Sequence, residues 1–152
     1  MEKIVLARYK NTDYTVNYEN KRYVWYGSKG SIISKREVPM DVYEWLTMNT
    51  FALQNGELVL DSSNENLEEL KENIYEIEEY EVNSISKEDI TKLLNGNFKK
   101  MESELNKIEA DSTKRFVLEV AREIGLESSA KQRFIKEWLG TELTIEELFL
   151  ME

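Results

Sequence analysis

Hydrophobic and polar positions follow two different periods along this chain, and the change falls near Leu60. Before it, β-branched and aromatic residues gather in short runs at residues 4–7, 14–18 and 22–26, the composition of half-buried strands. Glu19-Asn20-Lys21 and Gly27-Ser28-Lys29-Gly30 supply turn chemistry after two of these runs. Alternation puts Tyr23 and Trp25 on one face of their strand and Val24 and Tyr26 on the other, with Trp25 facing the core. Residues 31–37 predict a fourth strand with Ile32 and Ile33 partly buried. Pro39 then marks a helix start, because its missing N–H costs nothing there, and Val42, Trp45 and Leu46 share one face of the short helix that follows. Asn55-Gly56, set between residues 50–53 and 58–60, predicts a hairpin.

Beyond Leu60 the period becomes helical. Ser62-x-x-Glu65 reads as a capping box. Leu67, Leu70, Ile74 and Ile77, with Glu81 continuing the spacing, predict one helix to about residue 82 with a narrow apolar seam. One seam needs one partner surface, within the chain or on another. Ser86 caps a short helix carrying Ile90, Leu93 and Leu94, ended near Gly96. Phe98, Met101, Leu105 and Ile108 give the next stripe, and Phe116, Val117, Val120, Ala121 and Ile124 another, closed by Gly125. A further helix from about Ser129 buries Phe134, Ile135, Trp138 and Leu139 and ends at Gly140. Thr144-x-x-Glu147 caps a last turn with Ile145, Leu148 and Phe149. The pattern is α+β: a small N-terminal β-rich docking domain with one short helix at 1–60, an acidic connecting helix at 61–82, and an all-α domain at 83–152.

Composition narrows the function more than the fold. The 152 residues include no Cys and no His, which removes disulfides, thiolate metal sites, cysteine nucleophiles and the commonest general base. Together these point away from an enzyme, and no catalytic, cofactor-binding or metal-ligating residue is assigned. The acidic pairs Glu68/Glu69, Glu78/Glu79, Glu88/Asp89 and Glu146/Glu147 do not converge, since adjacent helical positions point about 100° apart. Gly27-Ser-Lys-Gly30 lacks phosphate-loop spacing and precedes a strand rather than a helix. No apolar run approaches the ~18 residues that span a bilayer, and the first ten residues lack a signal-peptide layout. The expectation is a protein with no membrane partner, kept in the cytoplasm or in an assembly built there.

The net charge is −10, and most of it is local. Residues 61–81 hold nine acids against the single base Lys71. A chain of this balance is a poor general nucleic-acid binder, whose affinity rests on neutralising phosphates. The outer aromatic residues Tyr18, Tyr26 and Trp45 instead suit a protein partner, with Leu67, Leu70, Ile74 and Ile77 as the seam.

Residues 113–140 carry the most specific local pattern. A helix ends at Gly125-Leu126, Glu127-Ser128-Ser129-Ala130 follows, and Lys131-Gln-Arg133-Phe-Ile-Lys136-Glu-Trp-Leu139 opens a second helix. This resembles the helix–extended-loop–helix (HeH) domain, a relative of the SAP and LEM folds. The resemblance implies a scaffold, and a possible DNA contact through Lys131, Arg133 and Lys136. Local charge here is close to neutral, which sets the DNA reading second. With Tyr23-Val-Trp-Tyr26, residues 38–51 and the acidic connector in front, the whole order resembles a small family from phage and prophage structural gene clusters. That resemblance implies a virion component, head-associated, assembled in the host cytoplasm, binding capsid or connector subunits in multiple copies and using no cofactor. Two alternatives stay open: an acidic regulator or inhibitor that imitates nucleic acid, and a weak DNA-binding HeH module.

Overall fold

The computed structural model describes residues 2–29 and 32–150, and the chain divides into two compact units, Met1–Ile85 and Ser86–Glu152. In the first, strand β1 (Lys3–Arg8) lies at the centre of an antiparallel sheet of order β4-β1-β5, between β4 (Ser34–Pro39) and the short β5 (Val59–Leu60). Leu6 pairs with Arg36 on one side and Leu60 on the other. Strands β2 (Tyr14–Tyr18) and β3 (Lys21–Trp25) form a separate hairpin, with Tyr14 opposite Trp25 and Tyr18 opposite Lys21. Its loop residues Glu19 and Asn20 both have positive φ, 48° and 64°, the backbone sense that continues the strands' right-handed twist.

Side-chain alternation sets which hairpin face is buried. Val16, Tyr23 and Trp25 are buried together, and the Trp25 indole Nε1–H donates to the Leu6 carbonyl at 3.0 Å, satisfying its polar atom inside the core. Helix α1 (Met40–Asn49) follows Pro39, which sits at the N-cap in extended conformation. Val42, Tyr43 and Leu46 enter the core, and the Tyr43 hydroxyl donates to the Leu70 carbonyl at 2.6 Å. Burial pushes the Tyr43 phenol far above its ordinary range and the Tyr80 phenol up to about 12.

Four local expectations are corrected. Ile32 and Ile33 are exposed, and β4 starts only at Ser34; Gly30 and Ser31 lie outside the described residues. Residues 50–60 form no hairpin: Asn55 N–H donates to the Phe51 carbonyl and Glu57 N–H to Ala52, so the chain coils before β5 joins β1. Gly56 holds this coil at φ 68°, where an added Cβ would lie 1.9 Å from the Asn83 carbonyl oxygen. Ser62 caps nothing, since the N-cap of the next helix is Asn66, whose side chain makes no capping bond; Asp61 accepts from Ser63 instead. Burial alone would raise the Asp61 carboxyl, but hydrogen bonds from Ser63 and Lys35 outweigh it and hold its pKa down.

The acidic stretch is two helices, not one. Helix α2 (Leu67–Glu72) stops, and α3 (Ile77–Asn83) restarts after Glu76 at φ 55°. The break lets both helices fold onto their own unit: Leu70, Ile74 and Tyr80 join the core cluster that holds Trp25, with Leu67 and Ile77 packed at its edge. The Tyr80 hydroxyl accepts from the Leu60 N–H at 2.9 Å. Residues 61–82 therefore lie inside the first unit rather than leading away from it.

The second unit is entirely helical among the described residues: α4 (Lys87–Asn95), α5 (Phe98–Leu105), α6 (Asp111–Glu123), α7 (Ser129–Leu139) and α8 (Ile145–Leu150). Its stripes converge, burying Ile90, Leu94, Met101, Leu105, Ile108, Val117, Val120 and Ile135, but Phe134, Trp138 and Leu139, expected in the core beside Ile135, are only half-buried. Ser86 accepts from the Asp89 N–H at 3.1 Å. Thr144 and Glu147 bond reciprocally, each backbone N–H reaching the other's side chain at 3.1 Å. Phe98 meets Phe134 edge-on, Phe134 stacks on Trp138, and the Lys114 ammonium lies 5.4 Å from the Trp138 ring centre.

Candidate functional site

The first unit exposes large apolar side chains where α1 ends. Thr50 terminates the helix, its N–H and hydroxyl both donating to the Leu46 carbonyl. The coil that follows must turn Ala52 and Leu53 inward, and this leaves Phe51 outside. Met48 is 81 % exposed, Phe51 69 % and Tyr75, in the break between α2 and α3, 71 %. These three, with Thr47, Asn49, Thr50, Gln54 and Asn73, line a cleft of about 420 Å³. Water gains nothing by wetting such surface, and clustered exposure of this kind marks contact surface.

The polar groups of the cleft are mostly spent on the backbone. Thr47 donates to the Glu44 carbonyl, and Asn49 to that of Trp45. Gln54 differs. Only 4 % of it is exposed, the Asn83 amide donates to its backbone carbonyl at 2.8 Å, and its side-chain oxygen Oε1 is buried with no donor among the described residues. A buried acceptor left without a donor costs roughly 1–3 kcal/mol, and this one is closed off from solvent. Exposed Glu72 and Glu76 flank Asn73 and Tyr75 in sequence, and Glu68, Glu69 and Glu78 are exposed nearby on the same two helices.

A buried charge cluster supports the coil below this surface. The Arg8 guanidinium donates to Thr12 and to the Glu57 carboxylate, at 2.8 Å, and Lys10 Nζ donates to the Asn55 carbonyl at 2.8 Å. Burial pulls Lys10 down to about 8, with the Arg8 charge adding to the fall and Glu57 opposing it.

The expected docking residues do not form one surface. Tyr26 is exposed, whereas Tyr18 and Trp45 are half-buried and pack on each other, ring centres 5.4 Å apart. Leu70 and Ile74 are buried in their own unit's core, and Leu67 and Ile77 pack against it, so the seam is occupied internally. Lys131, Arg133 and Lys136 do not share one free face either. Lys131 Nζ donates to the Leu94 and Gly96 carbonyls at 2.6 and 2.7 Å, closing the end of α4, and positions two apart on a helix diverge. Met48, Phe51, Gln54 and Tyr75 escaped sequence reasoning; Tyr75 falling off the 70–74–77 spacing was the one available signal. No helix among the described residues is long and apolar enough to cross a membrane.

Comparison with known families matches both units in order. Residues 2–76 match the model of the YonA N-terminal domain, and residues 86–145 that of the YonA C-terminal domain. Neither a curated protein nor a solved structure matches the chain.

Proposed function

Because the chain belongs to the YonA family, a two-domain family of phage-related proteins, we propose that it is a non-enzymatic, head-associated virion protein. It acts by binding capsid or connector subunits, as a decoration, minor capsid or head-completion component, and is assembled in the host cytoplasm. The observation that carries the binding role is the open cleft rimmed by the exposed side chains of Met48, Phe51 and Tyr75 on a folded, well-packed unit. On a particle with repeated sites, several modest contacts of this kind add up to firm attachment. Mass spectrometry of purified particles tests the reading. A stoichiometric amount of this chain supports it; a chain abundant in the lysate and missing from particles overturns it.

A second reading has its own observation. Exposed Glu68, Glu69, Glu72 and Glu78 on α2 and α3, with Glu76 between the two helices, present closely spaced negative charge, as an inhibitor imitating nucleic acid would. Salt-sensitive binding to a host nucleic-acid enzyme, competed by DNA, favours it. The HeH kinship of α6 and α7 remains attractive as a scaffold, since Gly125 turns the chain out of α6 and Ser128 caps α7, accepting from the Lys131 N–H. DNA contact through that scaffold is the weaker reading, because Lys131 is engaged within the unit.

A further inference from the structure

We propose that the cleft at the end of α1 receives a basic segment of the partner protein, with an apolar side chain held among Met48, Phe51 and Tyr75 and a flanking Lys or Arg facing the exposed Glu72 and Glu76. The proposal rests on the protein-binding reading above and names the chemistry of the partner. Two observations converge on it. The exposed rim supplies large side chains of the kinds that dominate binding energy, a flexible Met beside two aromatic rings. The sign of the guest's charge comes from the surroundings: exposed Glu72 and Glu76 flank Asn73 and Tyr75 of the cleft, and the one base of residues 61–81, Lys71, already lies 3.9 Å from Glu68. An acidic guest would be repelled there, whereas the aliphatic stem of a Lys or Arg can lie along the apolar side chains of the rim while its head faces these carboxylates.

The test uses the full chain and short fluorescein-labelled peptides, each with one Leu, Met, Phe or Trp anchor. One set carries flanking Lys and Arg, a second carries Glu, and a third replaces the basic residues with norleucine. Fluorescence anisotropy reads binding. The basic set is expected to bind, the Glu set to fail, and raised salt to weaken the complex. Phe51→Ser and Tyr75→Ser, both at exposed positions, are expected to lower affinity roughly tenfold or more each, with an unchanged circular-dichroism spectrum. The norleucine set keeps the anchor and loses the charge, so it is expected to bind several-fold more weakly than the basic set at low salt. Equal binding of the Glu set overturns the proposal. So does binding of the basic set that Phe51→Ser and Tyr75→Ser leave intact, which would be attraction to the acidic helices alone. Dimerisation abolished by Phe51→Ser, without peptide binding, would assign the cleft to a second copy and overturn it too. Absence of binding with the chain present in particles sinks this cleft only; absence from particles sinks the broader reading.

Discussion

Three buried side chains cross-link the first unit, Tyr43 and Tyr80 to the acidic segment and Lys10 to the coil before it, and they support measurable expectations. Tyr43 donates to the Leu70 carbonyl, and Tyr80 accepts from the Leu60 N–H, so the two hydroxyls link α1 to α2 and α3 to β5. Tyr43→Phe keeps the ring and leaves the Leu70 carbonyl only its bond from the Asn73 N–H, and is expected to cost roughly 0.5–1.5 kcal/mol in urea unfolding. Lys10 has the opposite character. Its folded-state value of about 8 lies below the 10.5 of an unfolded lysine, so between these pH values the unfolded chain holds the proton more tightly. Stability should therefore rise with pH from about 8 toward 10. Above pH 10 the sign reverses, because Tyr43 and Tyr80 stay protonated when folded and ionise when unfolded. Urea midpoints across this range check both limbs, and Lys10→Met should remove the rise while keeping the fall.

At the scale of elements, the acidic stretch shows why a correct apolar spacing does not fix a helix's length. Leu67, Leu70, Ile74 and Ile77 do face the core as their spacing implies, yet the helix breaks between them at residues 73–76. Glu76 bears a left-handed backbone at φ 55°, which costs a residue with a Cβ roughly 1–2 kcal/mol. Glu76→Gly is accordingly expected to stabilise the unit by about 0.5–1 kcal/mol, read by thermal or urea unfolding. Gly56→Ala is the converse, since its Cβ would collide with the Asn83 carbonyl, and should leave little folded first unit by near-ultraviolet circular dichroism.

Across the whole molecule, two units with their own buried clusters share one chain. Leu94, fully buried in the second unit, is a suitable probe: Leu94→Ala should cost roughly 2–5 kcal/mol. Hydrogen exchange should then accelerate among residues 86–150, while the amides of β1 and α1 keep their protection. Uniform acceleration along the chain would show instead that the two units unfold as one. The charge asymmetry belongs to this scale as well, because the acids of residues 61–81 lie on the unit that carries the cleft.

The α+β class, the first three strands, the start of α1 and the five C-terminal helices were legible in residue order, because each is written in local periodicity and capping. Ser86, Ser128 and the Thr144–Glu147 pair act through neighbours a turn away, so their roles need no distant partner. The coil at residues 50–58, the break before α3 and the inward packing of α2 and α3 were not legible. They depend on contacts across the unit: β5 joining β1, Asn83 reaching Gln54, and Tyr43 reaching Leu70. The cleft follows from these, since Met48, Phe51, Gln54 and Tyr75 come from three segments that only tertiary packing brings together. Local chemistry decided which segments bury which face; long-range closure decided which apolar side chains were left outside.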